Sequence, residues 1–499
     1  MDIYILQVEV MSMIQKLLLS MEQMIYIIHN GLQKATSPKE VTIIGAGISG
    51  LVAASLLKGA GHRITIIEAN NRIGGRIYTK REPFINNQYI DLGAMRIPSI
   101  HHLVLEYIKK FNLQVNEFIN STPNDLIFIN NVLTNETNYK ANPDQLNFKL
   151  LPSEKGKSAT ELLLLAVGPV IDFINQDPEK NWEIVINLYD HYSMANFLKY
   201  NPVSVSLSSE AIDMIETMVG LEGFSELAFT AILREVLVLL TKDLKFYEIT
   251  GGTDHLINGF LPQLKDDIIS NQRVKKIIQQ ESNVTIYTEN QILNTEHQLT
   301  SDFVISTIPY TLLNFVDLLP FESVSYEKRK VIRKIHYANS TKIGLQFKTR
   351  FWEKYGLYGG KLTTDLPIKF SYFPSHGAGA MNSTGIILAS YTWEDDSSIW
   401  DNMTQHERIK IALNDLSYIF GNQVFSEFLI GFSHNWSKFP YYGGAFVMFK
   451  PDQVKELGQY ISTPEGRIHF AGSHSSTTPG WMQGAIEAGI RTAYEVNNR

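Results

Sequence analysis

Residues 45 to 76 hold the first group whose types and spacing could do chemistry. Gly45-Ala-Gly47-Ile-Ser-Gly50 is followed by an acid, Glu68, 23 positions beyond Gly45. Gly45 allows a tight turn, Gly47 lets the backbone approach a pyrophosphate, and Gly50 lets a helix pack close to a strand. A carboxylate at Glu68 can accept hydrogen bonds from ribose hydroxyls. The chemistry this set implies is capture of a dinucleotide, with its phosphates at a helix N-terminus. Glycine-rich turns are common, so the motif gains weight only from the elements around it.

Those elements are present. Val41 to Ile44 is a β-branched run suited to a buried parallel strand. Leu51 to Lys58 reads as a small-residue helix stopped by Gly61, and Arg63 to Glu68 as a second parallel strand that closes on the acid. Asn71-Arg72-Ile73-Gly74-Gly75-Arg76 then adds a second glycine-rich turn ending in arginine.

Two further charged residues sit where solvated charges are awkward. Arg96, in Gly93-Ala94-Met95-Arg96-Ile97-Pro98, either pairs with an acid to hold the fold or receives an anionic ligand. Lys342 lies in an alternating strand, Asn339 to Phe347, and the ordinary reading of such a lysine is a solvated strand face.

Composition narrows the rest. The chain has 499 residues, too many for one core, and two or three domains are expected. A net charge of −7 gives no electrostatic case for nucleic acid. The basic cluster Lys328-Arg-Lys330 with Arg333 and Lys334 reads as the solvated face of an amphipathic helix. There is no cysteine, which excludes disulfides and thiolate catalysis, and nothing calls for a metal. Met1 to Leu19 is interrupted by Asp2, Glu9 and Lys16 and lacks a basic leader, so neither a signal peptide nor a membrane span is expected there. No other apolar stretch is expected to cross a bilayer, and the cytoplasm is the expected location.

Coarser features follow in order. Phe84 to Leu92 reads as a hairpin with an Asn86-Asn87 turn. Residues 102 to 240 read as mostly helical, clearest at Ile108 to Asn112 and Ala159 to Ile174. Gly156-Lys157-Ser158 lacks the earlier glycine and leading strand of a phosphate-binding loop. Val274 precedes the alternating strand Val284 to Tyr287, and Asp302 to Pro309 reads as another buried strand.

The second turn at Arg76 resembles that of the FAD-dependent amine oxidases. Gly93-Ala-Met-Arg96-Ile-Pro98 resembles the segment by which L-amino-acid oxidases bind the substrate carboxylate. Leu151 to Ala159, Tyr189 to Ser193 and Gly359 to Pro367 are similar to stretches of the snake-venom type and its bacterial relatives. The resemblance covers Met21 to the C-terminus. It implies an α/β fold with a discontinuous, Rossmann-like FAD domain of the glutathione-reductase type, a mixed α/β substrate domain and a helical insertion. Its segments would be an N-terminal helical extension (1–37), FAD domain (38–80, 241–330, 456–499), substrate domain (81–135, 331–455) and helical domain (136–240).

The cofactor positions so implied are Gly45, Gly47, Ser49, Gly50, Glu68, Ala69, Arg76, Gly93, Ala94, Met95, Arg96, Val274, Gly472, Ser473, Gly480, Trp481 and Met482. Arg96 with the Tyr391 hydroxyl would hold the substrate carboxylate, Lys342 a water at flavin N5, and Trp481 one wall of the substrate slot. Tyr441 to Phe446 would lie near the substrate side chain. Two departures stand out: Ser473 replaces the usual acid after Phe470-Ala-Gly472, and Leu233 to Leu240 lacks the histidine the family carries near its substrate.

The expected reaction is oxidative deamination of an L-α-amino acid, with non-covalent FAD and dioxygen, to a 2-oxo acid, ammonia and hydrogen peroxide. Monoamine or polyamine oxidation and amino-acid 2-monooxygenation are the rival chemistries, and a flavin-binding protein without turnover is the rival from another class. The sequence leaves room for a homodimer.

Overall fold

A computed structural model describes residues 19–241 and 243–499. The reading of Met1–Leu19 therefore lies, apart from Leu19, outside the described residues. The chain opens on helix Met21–Asn30, whose N-terminus is closed by a reciprocal Ser20–Gln23 capping box. Its apolar face (Met24, Ile27 and Ile28) packs towards helix His102–Lys110 and the C-terminal helix.

A five-stranded parallel sheet forms the centre. Its order is Ile268–Ile269, Arg63–Ile67, Glu40–Ile44, Phe303–Ser306, Ile468–Phe470. Glu40–Ile44 is buried from Val41 onward, as a strand covered on both faces must be. Helix Ile48–Ala60 and the C-terminal helix Met482–Asn497 pack against each other, with Gly489 beside the Ser49 carbonyl. Three distant stretches of the chain thus meet in one sheet. A four-stranded sheet (Glu296–Ser301, Val284–Asn290, Gln272–Gln279, Asp317–Leu319) adjoins it, with a register shift just after Val274.

The second large unit is a seven-stranded sheet in the order Phe428–Asn435, Ser340–Phe347, Gly385–Trp393, Phe370–Tyr372, Lys361–Thr364, Leu126–Ile129, Val132–Asn135. Every residue of Ser340–Phe347 is buried. Ile343, Leu345 and Phe347 join a core with Leu413 and Leu416 of helix Gln405–Phe420. The alternate face meets segment 84–93: Gly344 lies against Ile90, and the Gln346 amide exchanges hydrogen bonds with backbone Ile85. Lys342 belongs to that second face, so the solvated reading of it fails.

Three other expectations change. The hairpin spanning Phe84 to Leu92 pairs Thr79–Lys80 with Ile90–Asp91, and residues 84–86 are not strand. Asn86 and Asn87 do take the left-handed turn. Within 102 to 240, the hairpin Leu126–Ile129/Val132–Asn135 is strand, because it completes an edge of the seven-stranded sheet. Lys328 is fully buried on helix Tyr326–Lys334, with Nζ donating to the Ile461 carbonyl at 2.7 Å, while Arg333 and Lys334 are exposed. The expectation of no membrane span is unchanged by helix Ala159–Gln176, which is long and apolar enough to cross a bilayer but carries Glu161 and Asp172. Here its inner face (Leu162, Leu163, Ala166, Val167) packs among helices Pro178–Tyr189 and Ser209–Val219.

Candidate active site

A cavity of about 430 Å³ runs between the two large sheets. Its lining includes Gln272, Arg273 and Val274, both glycine-rich turns, and a group formed by Arg96, Lys342, Tyr391 and Trp481. This lining suits a ligand whose nucleotide part meets the glycine-rich turns and whose reacting part meets the arginine and lysine.

The glycine-rich part is built by backbone. Gly47 begins helix Ile48–Ala60 with no side-chain cap, so the first-turn N–H groups are left for a ligand. A Cβ on Gly50 would stand 2.1 Å from the Gly45 carbonyl, which keeps the turn and helix in contact. Glu68 accepts from the backbone N–H of Ala46 and of Asn70, both at 2.8 Å. Burial raises its pKa, against those hydrogen bonds and the charge of Arg72. A carboxylate has further lone pairs, so a hydroxyl can still be received. Ser49 also lines the cavity and receives the Gly472 N–H at 2.9 Å.

Arg76 lines the cavity, donating to the Ala445 carbonyl at 2.9 Å and to Ser473 Oγ at 3.5 Å. Arg72 grips Gly75 and the Tyr442 hydroxyl. At Gly93 an added Cβ would fall 1.7 Å from the Arg76 carbonyl, so only glycine fits between the second turn and the Arg96 segment. Trp481 caps the C-terminal helix without a side-chain bond, leaving the N–H groups from Met482 onward open. Ala69, Ala94, Met95, Gly472, Ser473, Gly480 and Met482 all line the same cavity. Gly-rich cradle, buried acid and two helix N-termini fit FAD.

In the group around Lys342, Arg96 donates to the Asn120 side-chain carbonyl and, at 3.2 Å, to the Tyr372 hydroxyl. Among the described residues no acid forms an ion pair with it. Of the two readings of Arg96, the structural pair is therefore absent. Lys342 Nζ donates to the carbonyls of Gly93 (2.7 Å) and Asp91 (3.1 Å) and lies 4.3 Å from the Tyr391 ring centre. Burial, aided by Arg96, pulls its pKa down to about 7, with Asp91 opposing. Asp91 itself is raised to about 6 by burial, despite bonds from Thr79 and Thr253. The ring of Trp481 meets His101 edge-on at 4.9 Å, and its indole N–H donates to Glu235 Oε2 at 3.1 Å.

The structure thus gathers the cofactor and substrate positions singled out above along one cavity, except Gly50, which stands behind the turn, and Gly443 and Gly444 of the 441–446 stretch. Sequence reasoning missed Asn120, Tyr372 and His101. Asn120 and Tyr372 carry no local signal, being brought to Arg96 from a loop and from a short strand. His101, five residues beyond Arg96, is the histidine that reaches Trp481; burial drops its pKa to about 3, so it is neutral. Glu235 left a signal: an acid on the apolar helix Phe229–Leu239.

The sequence pattern of the family described as flavin-containing amine oxidoreductases matches residues 48–497. The chain is 48% identical over 476 residues to YobN of Bacillus subtilis (strain 168), provisionally named an L-amino-acid oxidase, covering 95% of this chain and 98% of that one. An L-amino-acid oxidase of Siganus canaliculatus is 37% identical over 478 residues, 96% of this chain and 89% of its own. In fold, cyclohexylamine oxidase from Brevibacterium oxydans IH-35A superposes with a TM-score of 0.75 at 20% identity, over 93% of this chain and 99% of its own.

Proposed function

The chain belongs to the flavin-containing amine oxidoreductases, and from that premise we propose that it oxidises L-α-amino acids to 2-oxo acid, ammonia and hydrogen peroxide. The observation that carries this reading is Arg96, an arginine on the cavity wall held by two neutral partners, Asn120 and Tyr372. A planar guanidinium fork without an acid suits a carboxylate, which a simple amine does not possess. The relatives named as L-amino-acid oxidases support the same substrate class.

When bound, FAD would supply the acceptor for the Cα hydride and the route by which its electrons reach dioxygen. The chain supplies the rest. Arg96, with Tyr372 and Tyr391 close by, orients the carboxylate, and Trp481 forms a wall beside it. Lys342, half neutral near pH 7, stands ready to hold a water or a proton beside the reacting end. Hydride loss from Cα depends on orientation more than on a strong base, so the family's missing histidine is tolerable. The test is a coupled peroxide and ammonia assay on L-amino acids, D-amino acids and the matching amines. Preference for L-amino acids is expected; preference for amines would replace this reading with amine oxidation.

A further inference from the structure

Glu235 is a carboxylate on the wall of the substrate end, carried by helix Phe229–Leu239, whose other polar residues are Thr230 and Arg234. Oε2 accepts from the Trp481 indole at 3.1 Å. Among the described residues its other oxygen takes no hydrogen bond from the protein, and no cation is close enough to form an ion pair with it. Arg234, its neighbour in sequence, lies 5.6 Å from the Trp182 ring, away from the cavity wall. An unpaired acid in such a place costs stability unless a ligand completes it.

Its position along the cavity decides which part of a substrate it meets. Glu235 is held at Trp481, whose ring packs on His101, whereas Lys342 is held at the Gly93 and Asp91 carbonyls beside Tyr391, and the two share no hydrogen-bond partner among the described residues. Glu235 and the lysine that marks the reacting end thus stand on different parts of the cavity wall. A substrate whose carboxylate sits on Arg96 and whose Cα faces Lys342 would send its side chain, not its α-amine, past Trp481 towards Glu235.

We propose that Glu235 recognises a positive charge at the end of the substrate side chain, so that the preferred substrates are cationic L-amino acids of the lysine, ornithine and arginine class. The identification as amino acids rests on the function proposed above. Lys361 also lines this end and is the cation that an anionic side chain would use. Its ammonium, however, lies 5.9 Å from the Phe370 ring and beside Asp125, which offsets its charge.

The experiment measures kcat/KM for L-lysine, L-ornithine, L-arginine, L-leucine and L-glutamate, and for cadaverine against pentylamine, in the holoenzyme and in Glu235→Gln. Glutamine keeps the volume and can still accept the Trp481 bond, and flavin content controls for folding. Wild type should favour L-lysine over L-leucine, and Glu235→Gln should lower that ratio by about 30-fold or more, the loss expected when a desolvated charge loses its partner. A wild type that prefers L-leucine or L-glutamate, or a ratio unmoved by the substitution, overturns the inference. A preference for cadaverine over pentylamine that depends on Glu235, with no turnover of L-lysine, would support the role of Glu235 while discarding the amino-acid reading.

Discussion

Lys342 Nζ donates to the Gly93 carbonyl at 2.7 Å, so the strand bearing the lysine is tied to the segment bearing Arg96. The same strand face packs on Ile90, and together these contacts fix the lysine on the cavity wall, where the proposed function puts the reacting group. Lys342→Met should slow reoxidation of the flavin by oxygen by about 100-fold, the scale of a positioned proton donor or acceptor, and affect reduction by substrate far less. Stopped-flow traces of the two half-reactions decide; equal losses would leave Lys342 a supporting role.

Lys342 also carries a pH signature. Its folded pKa, about 7, lies below the ordinary 10.5 because of burial. Between those values the unfolded chain binds more protons, so this site makes the fold more stable as pH rises through that window. Wild type should therefore gain in Tm relative to Lys342→Met from neutral to alkaline pH. Parallel thermal melts across that range would show the difference growing; a constant difference would place the lysine outside this titration.

Gly93 offers a steric test. An alanine there would drive its Cβ to 1.7 Å from the Arg76 carbonyl, and backbone rather than a flexible side-chain tip must move. Gly93→Ala should cost about 1–3 kcal/mol or more through overpacking and separate the second glycine turn from Arg96. The purified variant should show a lower Tm and less bound flavin. Normal flavin content with a normal Tm would mean that the segment is softer than this contact implies.

Glu68 tests the nucleotide end. Glu68→Ala should weaken FAD binding by ~1.5–3 kcal/mol through loss of a charge-assisted hydrogen bond, and it also strips Ala46 and Asn70 of their acceptor. Flavin retained unchanged on dialysis would argue against it. Because the sequence has no cysteine, acid precipitation of the wild type should leave the flavin in the supernatant; a yellow pellet would reveal a covalent bond.

The nucleotide end was legible because its geometry is local. Turn, helix, strand and acid follow one another within 24 residues from Gly45 to Glu68, and each glycine has a backbone reason. The substrate end is assembled from distant segments. Asn120 and Tyr372 are 24 and 276 positions from the Arg96 they bind, and nothing near either residue announces that bond. Lys342 looked solvated because alternation tells which residues share a face, not whether the second face is covered too. Here segment 84–93 covers it. Lys328 misled in the same way, since a basic cluster hides the one member that turns inward onto Ile461.

Under the proposed function, Arg96 is the residue that would separate oxidation of amino acids from oxidation of amines. Its partners Asn120 and Tyr372 are neutral, so bringing in a substrate carboxylate supplies the matching charge. Removing one member of such a pair leaves the other desolvated and unmatched, at about 3–5 kcal/mol, which is roughly a 100-fold or larger loss of kcat/KM. Arg96→Ala should show that loss with L-amino acids and little change with the corresponding amines, which have no carboxylate to lose. Arg96→Lys should fall between, because an ammonium supplies the charge without the planar fork. Flavin content and the visible spectrum of each variant separate a substrate defect from a cofactor defect, since Arg96 also borders the Met95 side of the cavity. If the alanine variant treats amino acids and amines alike, the carboxylate is not what Arg96 binds, and the reading falls to amine oxidation.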